Sequence, residues 1–294
     1  MSPLVRKMIR EAGLNAAAIR GTGMHGRITR EDVEQALSSG TARSAPRQAA
    51  PVVSARPAHD ETVPFDNVRR LIAEHMVHSV ATSPHVLQFT EVDFEAVAQV
   101  RARHQEAFKQ QEGFGLTYLP FIARAVCDAL SEFPRLNASM GDNALVVHSN
   151  VNLGIAVDLN HAGLIVPVIR AADGKRLRQL ARDIHDVAER ARNKKLTPDD
   201  ISAGTFTISN SGSFGTAVTA PIINQPQVAI MSVDGIAKKP VVVESDQGDA
   251  IAIHHVGYQG MCFDHRANDG AYSAAFLRRY KEIIEHRDWE AELA

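Results

Sequence analysis

Phe263-Asp264-His265-Arg266-Ala267-Asn268-Asp269-Gly270 is the stretch whose reading decides this chain. It follows a short apolar run at 261–264 that reads as a strand. It precedes residues 271–286, which read as a closing helix. A histidine at a strand end can project into a cleft. Asp269, four residues on, falls at the start of the helix, where a carboxylate favours the N-terminus. It can also brace the loop that orients the imidazole. A single histidine is ordinarily a satisfied structural residue. The strand–turn–helix setting and the Asp-Gly pair favour chemistry for His265.

A second stretch, Gly204-Thr205-Phe206-Thr207-Ile208-Ser209-Asn210-Ser211-Gly212-Ser213-Phe214-Gly215, reads as a strand running into a loop of glycines and hydroxyls. Such a loop is either a solvated turn or a device that places an O–H in a pocket, and Ser209 at the strand end suits the second.

The rest of the chain supplies the frame. It has 294 residues, 45% hydrophobic and 22% charged, with a net charge of -2, which is globular composition. Residues 1–59 carry nine Lys/Arg and four Asp/Glu, so a basic piece of +5 precedes a body of -7. The two cysteines, Cys127 and Cys262, cannot build a disulfide framework or a four-cysteine metal site. No run approaches the ~20 apolar residues of a membrane span. The opening Met-Ser-Pro-Leu-Val-Arg-Lys lacks the apolar core of a signal peptide. A soluble protein is expected, without membrane or nucleic-acid partners.

Ser2-Pro3 starts a helix whose residues Leu4, Val5, Met8, Ile9 and Ala12 share a face, and Gly13 ends it. A glycine-rich loop, 21–27, follows. Thr29 and Asp32 then have the spacing of a capping box for a second helix, with Val33 and Leu37 inward. These elements predict a small all-α domain over 1–37. Residues 38–60, with Pro46, Pro51 and Pro57 and no aromatic residue, read as a flexible Ala/Pro-rich linker. The body, 61–294, mixes elements without strict alternation. Helices are predicted at 67–81, 94–111, 120–133, 177–193 and 271–286. Strand-like runs fall at 86–93, 144–148, 152–158, 164–169, 204–210, 227–233 and 261–264. This is an α+β pattern with a mixed β-sheet.

His-x-x-x-Asp-Gly at 265–270 resembles the signature shared by coenzyme A-dependent acyltransferases, among them chloramphenicol acetyltransferase and the dihydrolipoamide acyltransferases. The stretch 204–230 resembles the segment that the latter carry before the signature, and 69–76, 116–121, 152–158 and 163–169 also resemble that family. Residues 2–37, including Val5-Arg6-Lys7 and Gly21 through Arg27, resemble the peripheral subunit-binding domain of the same family. Asp264 stands where peptide-synthetase condensation domains carry a histidine, which argues against that branch.

The resemblance implies a chloramphenicol acetyltransferase-like catalytic domain with His265 as general base, Ser209 as oxyanion donor and Asp269 holding geometry. It implies coenzyme A as a substrate and acyl exchange with dihydrolipoamide in a 2-oxo acid dehydrogenase complex. Acetyl, of pyruvate dehydrogenase type, comes first; succinyl and branched-chain acyl groups are alternatives. It further implies a homotrimer, or a larger core, with His265 and Ser209 meeting between neighbouring chains. Arg6, Lys7 and Arg27 would grip dihydrolipoamide dehydrogenase or the decarboxylase component. The location implied is cytoplasmic in a bacterium, or the mitochondrial matrix in a eukaryote. Ala267 and Asn268 depart from the apolar residues usual between His-Arg and Asp-Gly. No lysine sits at a lipoyl hairpin tip, so the lipoyl group is expected from a domain outside this stretch, truncation being the favoured reason. A lipoyl-independent small-molecule acetyltransferase and a non-catalytic scaffold are the readings from other classes. No metal is expected, since neighbouring His254 and His255 would point to opposite faces of a strand.

The chemistry fits the residues. A thiol titrates near ~8.5, so little is thiolate at neutral pH. A neutral imidazole is well matched to take that proton, help typically worth about 10²–10⁴ in rate. Neither cysteine is needed as a nucleophile, and Cys262 is expected to be buried and structural.

Overall fold

The computed structural model describes residues 1–39, 60–161, 163–246 and 248–293, so the expected linker lies almost wholly outside the described residues. Two compact units are present, Met1–Pro64 and Phe65–Ala294.

In the first unit, helix α1 (Pro3–Glu11) is capped by the Ser2 hydroxyl, which accepts the Val5 N–H at 3.3 Å. Gly13, at φ +63, takes the left-handed conformation that ends the helix. Helix α2 (Arg30–Ser39) has the predicted capping box. The Asp32 N–H donates to Thr29 Oγ1 at 3.4 Å, and the Thr29 N–H donates to Asp32 Oδ2 at 2.8 Å. Asp32 also accepts the N–H and hydroxyl of Thr22, at 3.0 and 2.7 Å, tying the glycine loop to α2. Val5, Ile9, Leu14, Ile19, Val33 and Ala36 form the core. Leu4 and Leu37 were expected inward but are 56% and 47% exposed. A domain this small has room for only a narrow apolar stripe on each helix.

The second unit runs α3 (Asn67–Thr82), β1 (His85–Asp93), α4 (Glu95–Glu112), α5 (Leu119–Glu132), β2 (Ala138–Gly141), β3 (Ala144–Val147), β4 (Leu153–Asp158), β5 (Leu164–Ile165), β6 (Val168–Ile169), α6 (Leu177–Arg192), β7 (Phe206–Asn210), β8 (Ala229–Val243), β9 (Ala250–Asp264), α7 (Gly270–His286) and α8 (Trp289–Leu293). The main sheet has the order β1-β9-β8-β7-β4-β5, with β6 also on β4. β4/β7 and β7/β8 are parallel and the other pairs antiparallel, giving the expected mixed sheet of an α+β fold. Phe206, Ile208, Met231, Val233, Met261 and Phe263 from the sheet join α5, α6 and α7 in one core.

Two strand expectations need correction. Residues 164–169 are two short strands rather than one, because Pro167 lacks an N–H to continue the ladder. β8 and β9 have 15 residues each, far more than 227–233 and 261–264. Their outer halves form an arm on which Val242, Ile251 and Ile253 are 65%, 81% and 70% exposed. Without a buried face, that arm carries no core-facing alternation to read.

Candidate active site

The turn carrying His265 is held by its neighbours. Asp264, the last residue of β9, is buried and donates its N–H to the Val228 carbonyl at 2.8 Å. Its carboxylate accepts the Arg266 N–H at 2.9 Å, Arg266 Nε at 3.0 and 3.2 Å, and Arg266 Nη2 at 2.6 Å. Its carbonyl accepts the N–H groups of Ala267 and Asn268 at 3.0 and 3.3 Å. Burial would raise the Asp264 carboxyl, but hydrogen bonds from Arg266 and Ser83 hold it below the usual carboxylate range. The His265 N–H donates to Pro84 O at 3.0 Å, and the residue is exposed.

Asp269 is exposed at the N-cap position of α7 and makes no side-chain cap hydrogen bond. The bracing assigned to it from sequence is supplied by Asp264 instead. The signal was an acidic residue two positions before an arginine, but its meaning depends on the burial of Asp264. Asn268 is also buried, and its Nδ2 donates to the Arg135 carbonyl at 3.1 Å.

Ser209 lies near the end of β7, opposite Ala156 and Ser232. It is half-buried, and its hydroxyl has no hydrogen-bond partner among the described residues. The loop beyond is anchored by Asp234, which accepts Thr216 Oγ1 and Thr219 Oγ1 at 2.6 Å each, the Thr219 N–H at 3.1 Å and Ser232 Oγ at 3.2 Å. Burial would raise this carboxyl, but the hydroxyls hold it below its ordinary range. Sequence reasoning missed Asp234.

One chain does not bring Ser209 and His265 together. Ser232, opposite Ser209, pairs with Gly260, five residues before His265 and on the next strand. At ~3.3 Å per residue and ~4.8 Å per strand the two lie roughly 15–20 Å apart.

A cavity of about 830 Å³ lies where the loop after β7 meets α5 and α6, lined by Tyr118, Ile155, His185, Arg192, Asn210 and Ser213 among others. His185 stacks on Phe114, ring centroids 4.1 Å apart. That size and mixed lining suit a small-molecule ligand.

Other titratable groups are engaged elsewhere. His254 Nδ1 pairs with Asp93 at 2.5 Å and His255 Nδ1 with Glu95 at 2.8 Å, so each histidine has a carboxylate of its own. Cys262 packs with Ile223 and Ile230, and burial pushes its thiol up to about 11. Burial pushes Cys127 up to about 12. In the first unit Arg6, Lys7 and Arg27 are all exposed.

Residues 57–291 match the family model described as 2-oxoacid dehydrogenases acyltransferase (catalytic domain), and residues 1–34 match one described as e3 binding domain. The dihydrolipoyllysine-residue acetyltransferase component of the pyruvate dehydrogenase complex of Corynebacterium glutamicum is 37% identical, over 100% of this chain and 45% of its own length. The lipoamide acyltransferase component of the branched-chain alpha-keto acid dehydrogenase complex of Bacillus subtilis is 36% identical, over 98% and 71%. The dihydrolipoyllysine-residue succinyltransferase of Escherichia coli K12 is 35% identical, over 97% and 70%. This chain thus spans less than half of the first relative and about 70% of the other two. Among solved structures, the Azotobacter vinelandii dihydrolipoamide acetyltransferase is 34% identical with a TM-score of 0.75, covering 83% of this chain and 98% of that one. That work concerns a serine, a histidine and an asparagine in the catalytic mechanism. The cubic core of a pyruvate dehydrogenase multienzyme complex is 33% identical with a TM-score of 0.74, covering 83% and 98%.

Proposed function

Because this chain belongs to the 2-oxoacid dehydrogenase acyltransferases, we propose that it moves an acyl group between a dihydrolipoyl thiol and coenzyme A within such a complex. The observation that carries this reading is the exposed imidazole of His265 on a turn locked by Asp264 and Arg266. His265 takes the proton from the attacking thiol. The thiolate adds to the thioester carbon, and a Ser209 hydroxyl donates to the oxyanion. Collapse expels the other thiolate, which recovers the proton from His265. Asp269 keeps the four-residue spacing that separates the histidine and asparagine named for the Azotobacter enzyme, while the turn itself is held by Asp264.

The distance between Ser209 and His265 supports a site completed between copies of the chain, a homotrimer or a larger core like the cubic relative. Exposed Val68, Leu71, Val77 and Val80 on α3 supply apolar surface for such association. The cavity beside Asn210 and Ser213 is the proposed seat of coenzyme A, with Arg192 available to its phosphates. The lipoyl group comes from a lipoyl domain outside this stretch. Arg6, Lys7 and Arg27 dock dihydrolipoamide dehydrogenase or the decarboxylase component, in the cytoplasm if the source is bacterial like the relatives named.

Acetyl is the first donor proposed, with succinyl and branched-chain acyl groups as alternatives, since relatives of all three kinds are 35–37% identical. Acetyl-, succinyl- and isobutyryl-coenzyme A, each with free dihydrolipoamide, are compared in one assay beside His265→Ala. Turnover with one donor, lost by about 10²–10⁴ in the variant, supports the reading. Folded protein without turnover on any donor overturns it in favour of a scaffold.

A further inference from the structure

Three residues at the α3–β1 junction grip a segment distant in sequence. Ser79 Oγ donates to the Ile223 carbonyl at 2.6 Å, and the Ile223 N–H donates to His85 Nε2 at 2.9 Å. Both sides of one buried residue's backbone are therefore held by α3–β1 side chains; Ile223 is 0% exposed. Ser83 Oγ, also buried, accepts Gln225 Nε2 at 2.6 Å. The His85 ring has one consistent proton arrangement. Nδ1 faces the Ser83 carbonyl at 2.7 Å, which can only accept, and Nε2 receives an N–H, which can only donate. The imidazole is therefore neutral with its proton on Nδ1.

The same junction holds the catalytic turn. The Pro84 carbonyl accepts the His265 N–H at 3.0 Å, His85 pairs with Asp264 in the sheet, and Arg266 Nη2 reaches Ser83 Oγ at 3.4 Å. On the other side, 220–226 continues from Thr219, which is bonded to Asp234 at the loop after Ser209. We propose that His85 is a positioning residue for acyl transfer, its neutral ring coupling the His265 turn to the 219–226 segment that follows the Ser209 loop. This rests on the acyl-transfer reading above.

The test compares His85→Leu with His85→Gln in the full chain. Glutamine keeps an acceptor near the Nε2 position; leucine keeps bulk and leaves the Ile223 N–H without one. Hydrogen exchange across 220–227 reads the clamp whether or not there is turnover. Protection is expected in wild type and His85→Gln and is expected to be lost in His85→Leu. In the acyl-transfer assay, His85→Leu is expected to lower kcat by about 10–10²-fold with KM within about 3-fold, the scale of a misplaced catalytic group. His85→Gln is expected to restore most of it. Lost protection with unchanged kcat, or protection kept in His85→Leu, overturns the proposal. Failure of the acyl-transfer reading appears separately, as a wild type no faster than His265→Ala.

Discussion

Asp264 and Arg266 form an ion pair that brackets the single residue between them, His265, with Nη2–Oδ2 at 2.6 Å and Nε–Oδ1 at 3.0 Å. The Asp264 side chain is 1% exposed and the Arg266 side chain 38%. Removing the arginine leaves a buried carboxylate without its counter-ion, which typically costs about 3–5 kcal/mol. The exposure of Arg266 places Arg266→Met at the low end, about 3 kcal/mol. Thermal unfolding is expected to fall by roughly 6–12 °C. The double variant Asp264→Asn with Arg266→Met should recover part of that loss. Strictly additive losses would show that the pair is not coupled.

The separation of Ser209 and His265 within one chain predicts complementation. Ser209→Ala and His265→Ala are each expected to be nearly inactive, the serine variant by about 10²–10³ in kcat. When the two are unfolded together and reassembled, some interfaces receive an intact serine from one copy and an intact histidine from the next. Random assembly of a closed ring restores about a quarter of the sites. Activity of the mixture near that level, against none in either parent, is the expected result. No recovery in properly assembled mixtures places both residues in one chain's site.

The small unit tests whether its glycine loop is a built structure. A Cβ on Gly21 would lie 2.4 Å from the Gly26 carbonyl oxygen and 2.7 Å from the Arg27 carbonyl carbon, both rigid backbone. Gly21→Ala is therefore expected to unfold residues 1–39 while acyl transfer between free dihydrolipoamide and coenzyme A stays within about 2-fold, since the substitution falls in the other compact unit. Hydrogen exchange over 1–39 and titration with dihydrolipoamide dehydrogenase read the two effects. A folded small unit in Gly21→Ala contradicts this account of the loop.

Burial of Cys262 makes a prediction about reagents. A thiol pushed up to about 11 is thiolate to only about 3 parts in 10⁴ at pH 7.5, and the thiolate is the reactive form. Iodoacetamide should leave Cys262 unlabelled in the folded protein and label it once unfolded, as peptide mass spectrometry reads. Rapid labelling with loss of turnover would instead make this cysteine part of the chemistry.

What was legible in the sequence follows from how local each signal is. The helices at 120–133 and 177–193 carry apolar periodicity over several turns, and the structure buries those residues in the main core. The Thr29–Asp32 capping box is local and was found; the same carboxylate's bonds to Thr22 span ten residues and were not. Asp264 and Asp234 act through burial and partners set by the sheet, so adjacency alone points to neither. Asp269 shows the converse: helix-start position implied a brace that its exposed side chain does not provide. The clamp of His85 on Ile223 joins residues 138 apart and has no sequence signature at all.

Asp32 predicts how the small unit responds to acid. Its carboxylate takes the N–H of Thr29, the N–H of Thr22 and the Thr22 hydroxyl, and these hold its carboxyl well below the ordinary range. A group depressed in the folded state adds stability above its unfolded value of ~3.9 and loses it as pH falls towards the folded value. The first unit should therefore hold steady from pH 7 to about 5 and weaken below about 4, where unfolded chains take up the proton more readily. Asp32→Asn removes both the charge and the titration. Its amide still offers one oxygen but cannot serve three donors as the carboxylate does. The variant should melt lower at pH 7, and the gap to wild type should shrink as pH falls towards 3. Hydrogen exchange over residues 1–39 across that range checks the sign, and a gap that widens in acid would show that Asp32 is not the group responsible.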